Sequence, residues 1–200
     1  MKKLFCISTV LSASAASLCA TPITGGLTGL TGSFSTINFD AGTVAPNGAV
    51  TTQFAGATFG NFVWAETDSN GQGGSTGFSG GNLMYGSLEP STIVFNSTVS
   101  AGAFAIVDLG GLVTFNARLG GVSGTIVETF NLTIPFNPGA GFVGFQGISF
   151  DTIEIVHSTS AIAIDTLQFK SIASVPDANS TLLLLSAALV SLGLARRKIS

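Results

Sequence analysis

Between its two ends the chain shows no helical periodicity longer than a turn or two, and where apolar residues alternate with polar ones they do so with the two-residue period of a strand. Val113, Phe115 and Ala117 take every second position, and so do Ile162, Ile164 and then Leu167 once one bulge is allowed after Asp165. The pattern predicts strands over Ser33–Phe39, Thr58–Ala65, Asn82–Gly86, Thr92–Asn96, Gly102–Leu109, Leu112–Leu119, Thr125–Ile134, Gly141–Gln146, Ile148–His157 and Ala161–Lys170. They are short, rich in Phe, Ile, Val and Thr, and divided by turn-forming pairs such as Gly110-Gly111 and Gly120-Gly121. About ten strands at this spacing predict an all-β fold, an antiparallel two-sheet β-sandwich. Fifteen of the 16 Phe lie within residues 21–174, where a ring without a polar atom is core material.

Two stretches depart from this pattern, one at each end. Lys2-Lys3, the apolar run from Leu4 to about Ala16 and the small residues after it have the order of a secretory signal peptide over residues 1–20. Cleavage after Ala16 or after Ala20 fits, Ala20 being preferred. Leu18 before Cys19 does not suit a lipoprotein signal. At the other end, Val175-Pro176-Asp177-Ala178-Asn179-Ser180-Thr181 is an extended, polar segment open to a protease. Residues 182–195 then carry no charge, and leucines surround every side of the helix they would form. Fourteen residues reach about 21 Å against a hydrocarbon slab of about 30 Å, so this hydrophobic helix is a marginal membrane anchor. Arg196, Arg197 and Lys198 close it as a membrane stop favouring the cytoplasmic side, which puts the body of the chain across the membrane.

This tail resembles the C-terminal sorting signals of the PEP-CTERM class, most closely the variant that begins Val-Pro-Asp-Ser-Gly. The resemblance covers residues 175–200, with Ala178-Asn179 standing where that variant has Ser-Gly. It implies an exported bacterial protein, transiently anchored in the inner membrane, cut by an exosortase-type enzyme and then held at the cell surface or released. The chain therefore divides into a signal peptide (1–20), a β domain (21–174) and a sorting or anchor segment (175–200). A looser resemblance links Phe39-Asp40, Gln53 to Phe59, Gly141 to Phe145 and Ala163 to Phe169 with the jelly-roll domains of such proteins.

Charge narrows the function. Within residues 21–174 nine acidic side chains face two basic ones, Arg118 and Lys170, a net charge of −7 with His157 neutral. No basic footprint for nucleic acid exists. Both cysteines, Cys6 and Cys19, precede the domain, which excludes disulfides and thiolate metal sites from it.

The candidate chemistry is sparse. One His cannot build a His-cluster zinc site, and His157, between strand end and polar Ser158, is expected at the surface. Glu66 and Asp68 are placed like a carboxylate pair but also like solvated acids at the start of a Gly/Ser-rich loop running to Gly81. Asp40 and Asp165 would converge on a structural calcium if the first and last long strands are neighbours; the alternative is a turn cap at Asp40 and a local backbone bond at Asp165. No other cofactor is implied. Trp64 and Tyr85 flank the loop and are the only aromatics suited to stack on a sugar, with core packing as the alternative for Trp64. The reading is a non-catalytic cell-envelope or biofilm-matrix protein, structural or adhesive, with a carbohydrate-binding module as the alternative. An exosortase, the membrane and a polysaccharide are its expected partners.

Overall fold

A computed structural model describes residues 20–41, 44–45, 47–66, 77–78, 82–86, 90–107, 111–135, 140–157 and 162–172, with backbone alone at 41, 65–66 and 82–86. Residues 1–19 and 173–200, including Val175–Thr181 and Arg196–Lys198, lie outside these residues, as does Asp68. Among the described residues no helix is long and apolar enough to cross a membrane.

Eleven strands run β1 (Thr21–Thr24), β2 (Ser35–Ile37), β3 (Ala49–Val50), β4 (Ala57–Gly60), β5 (Phe62–Glu66), β6 (Asn82–Gly86), β7 (Ser91–Val107), β8 (Leu112–Leu119), β9 (Thr125–Thr133), β10 (Gly141–His157) and β11 (Ala163–Ser171). Every pairing is antiparallel. Strands β7 and β10 are the spine, each 17 residues long. Their pairing jumps register between Gln146 and Phe150 and again before Thr152, so each contributes to two sets of neighbours. The carboxyl half of β7 and the amino half of β10 lie in the order β1–β10–β7–β11–β6–β5–β3, with β2 also on β11. The other halves lie in the order β4–β7–β10–β8–β9.

These two groups face each other through aromatic rings. Phe104 on β7 meets Phe115 on β8 at 6.2 Å between centroids, Phe145 on β10 meets Phe130 on β9 at 5.1 Å, and Phe95 meets Phe169 at 5.3 Å. The core between the layers is thus built by the inward set of each strand: Ile93, Phe104, Ile106, Val113, Phe115, Val143, Ile153 and Ile155 are all fully buried. A second, smaller cluster lies on the opposite face of the first layer, where Ala101, Ala103 and Ala105 alternate with the core-facing residues. Their small side chains leave room for Leu30 and Phe142 to pack over the sheet.

Several sequence expectations change here. The strand expected over Thr58–Ala65 is two strands in different layers, because Asn61 sits at φ 61° and its side-chain amide donates to the Pro90 carbonyl at 2.7 Å. A single left-handed residue, which Asn tolerates, redirects the chain. Conversely, the pairs of strands expected at 92–96 and 102–109, and at 141–146 and 148–157, are each one continuous strand. Gly147, at φ 78°, makes a bulge rather than a break. The first expected strand shortens to Ser35–Ile37 and gives way to a 3-10 turn at Phe39–Ala41. The bulge expected after Asp165 is present: Thr166 has φ 47° and the register shifts between Asp165 and Gln168.

Candidate functional site

Trp64 is not a surface platform. It is 2 % exposed and its ring stacks on Phe54 at 6.0 Å and 20° between planes. Its position on β5 explains this: Phe62 and Trp64 share the inward face by the two-residue alternation, and both are buried. Tyr85 pairs with Val63 while Trp64 pairs with Met84, so the two aromatic positions are not cross-strand partners. Glu66 ends β5, opposite Asn82.

The expected neighbouring of early and late strands is realised, since β2 pairs with β11 through Ile37 and Leu167. Asp40 and Asp165 nevertheless sit in different surroundings. Asp40 is exposed on the 3-10 turn, where its amide donates to the Asn38 side chain at 2.7 Å. Asp165 is fully buried and accepts from the Thr166 amide at 2.6 Å, the local bond that a bulge offers. No group of three or more His, Cys, Asp or Glu fit to hold a metal occurs among the described residues. His157 is 6 % exposed rather than at the surface. It continues the inward register of Ile153 and Ile155 on β10, which places it at the end of the core.

Two other carboxylates are committed to structure. On the outer face of the second layer Glu154 accepts from the Arg118 guanidinium at 2.8 Å and from the Asn116 amide at 2.7 Å. Asn116 accepts in turn from the Thr129 hydroxyl at 2.7 Å, tying β10, β8 and β9 together. Asp151 sits below the β8–β9 turn. Partial burial pushes its carboxyl up, but the Gly120 and Gly121 amides at 2.8 and 2.9 Å and the Thr152 hydroxyl at 3.0 Å outweigh that and hold it below its ordinary value. Gly120 and Gly121 have φ of 99° and 78°, and this backbone turns two successive N–H groups toward one anion.

Among the described residues an open concavity lies on the outer face of the first layer, with a volume of about 500 Å³. It is organised around one row of the sheet. Ala101 on β7 has Gln146 of β10 on one side and Lys170 of β11 on the other. A methyl group between two long polar side chains leaves a trough. One end is closed by Leu30 and Thr31, the other by the bulge residues Gly147, Ile148 and Ser149. The wall at Leu30 is pinned to the sheet: the Leu30 amide donates to the Gln168 side chain at 2.8 Å, the Gly25 amide donates to the Phe142 carbonyl and the Phe142 amide to the Gly26 carbonyl, both at 3.0 Å. Ser100 and Ile172 complete the rim, the Ser100 hydroxyl donating to the Lys170 carbonyl at 3.3 Å. Sequence reasoning missed this site because its walls come from four separated segments. Its one sequence signal is that Lys170 is one of only two bases in the domain.

No protein-family model matches the chain, and no curated protein matches it. Two solved structures are similar to it in outline. CBM32-3 from a family 31 glycoside hydrolase of Clostridium perfringens aligns at 12 % identity and a TM-score of 0.35, over 56 % of this chain and 91 % of that one. The cleaved adhesin domain of Lys-gingipain from Porphyromonas gingivalis aligns at 11 % identity and a TM-score of 0.35, over 78 % of this chain and 99 % of that one.

Proposed function

We propose that the chain is an exported, non-catalytic protein of the bacterial cell envelope or extracellular matrix, sorted by its C-terminal tail. In this reading the signal peptide directs export, the hydrophobic helix holds the chain transiently in the inner membrane, and an exosortase-type enzyme cuts within Val175–Thr181. The domain, a jelly-roll-like sandwich, is then displayed or released. The tripartite order of residues 175–200 carries the reading: an extended polar motif, an uncharged apolar run and a basic stop. Asp151 and Glu154 are engaged in a turn and an ion pair, so these two carboxylates serve the fold. Replacing Pro176 and Asp177 together by Ala should trap the full-length chain in the membrane fraction of the native host. Normal processing and delivery of that variant would refute the sorting role.

Carbohydrate binding is the second reading, favoured by the trough around Ala101. Its polar rim of Thr31, Ser100, Gln146 and Ser149 offers hydroxyl and amide partners beside aliphatic walls, which suits the two faces of a sugar ring. In this reading the sugar lies in this trough rather than against Trp64, whose ring is buried.

A further inference from the structure

We infer that the trough around Ala101 takes an acidic sugar, a uronate unit whose carboxylate pairs with the Lys170 ammonium. This rests on the carbohydrate-binding reading and adds the ligand class. The described residues hold two bases, Arg118 and Lys170. Arg118 is bound to Glu154 and to the Gly124 carbonyl, whereas Lys170 is exposed and forms no ion pair among the described residues. In a domain of net charge −7, the one base outside an ion pair among the described residues thus lines the trough. Such a cation donates to the hydroxyls of any sugar, but a carboxylate gains a stronger, charge-assisted bond from it, while an anion is disfavoured at most other places on this surface.

The spacing fits one sugar ring. Gln146, Ala101 and Lys170 occupy one row on three adjacent strands, which puts the outer two backbones about 9–10 Å apart. A pyranose lying over the Ala101 methyl reaches both walls. Its carboxylate accepts from Lys170, ring hydroxyls exchange hydrogen bonds with the Gln146 amide, and its C–H face packs on the aliphatic side chains of Leu30 and Ile148. The pinned Leu30 wall keeps this arrangement in place before the ligand arrives.

Calorimetric titration with oligogalacturonate and with the same oligosaccharide after reduction of its carboxyl groups tests the inference. The wild-type protein should bind the uronate form at least about tenfold more tightly, with the difference shrinking as salt rises. Lys170→Met should remove that preference and Lys170→Arg should keep most of it. Both changes are at an exposed position, and unchanged melting will show that the fold is intact. Equal binding of both oligosaccharides, or a preference that survives Lys170→Met, would overturn the acidic-sugar assignment while leaving carbohydrate binding in place. Binding of neither would overturn both.

Discussion

Replacing Trp64 by Ala should destabilise the domain without touching its binding surface. The indole is 2 % exposed, lies within the aromatic group of Phe39, Phe54, Phe59 and Phe62, and stacks on Phe54. Truncating a large aromatic in such a site costs about 3–5 kcal/mol from lost transfer and the cavity left behind. For a domain of this size each kcal/mol moves the melting temperature by roughly 2–4 °C, so a fall on the order of 10 °C is expected. Phe at the same position fills most of the volume and should lose much less. Circular dichroism gives the melting curves. The chain has a single Trp, so intrinsic fluorescence reports on this site alone. Its emission should be blue-shifted in the native state and move to the red on unfolding. A Trp64→Ala protein that melts with wild type, together with red-shifted native emission, would refute the burial on which this reasoning rests.

Two further outcomes follow from the turn and the spine. The lowered Asp151 carboxyl contributes stability above its unfolded-state pKa, and that contribution is lost as pH falls through the lower folded-state value. Asp151→Asn should therefore reduce stability near neutrality by about 1 kcal/mol or less, because the group is partly exposed, and the gap to wild type should close on acidification through the acid range; a gap that widened in acid melts would contradict the assignment. Gly144→Ala should cost about 3 kcal/mol or more, since a Cβ there would clash with the Gly102 carbonyl oxygen and lie 2.8 Å from Ala103 Cα. Wild-type denaturant midpoints for that variant would mean that β7 and β10 are not so closely apposed.

What the sequence made legible was the period-two pattern. It located β6 and β8 and the bulge beside Asp165, since each depends on local alternation and turn chemistry. It misplaced what depends on how the strands cross between layers. Gly147 is a turn-forming residue, yet pairing with β7 resumes past its bulge, Gln146 facing Ala101 and Phe150 facing Val99. Asn61 lies in an apolar run that looks like one strand, and only its left-handed backbone shows that the run changes layer. His157 was recoverable from the alternation of Ile153 and Ile155, but its polar neighbours at 158 and 159 drew it to the surface. The trough was out of reach because a row such as Gln146, Ala101 and Lys170 exists only once the register of three strands is known.

The mass of the mature protein's C-terminal peptide, isolated separately from the cell envelope and the medium of the native host, tests the export and sorting account most directly. The account predicts a terminus between Val175 and Thr181. An intact end at Ser200 found only in membranes would contradict it and make residues 182–198 a permanent anchor.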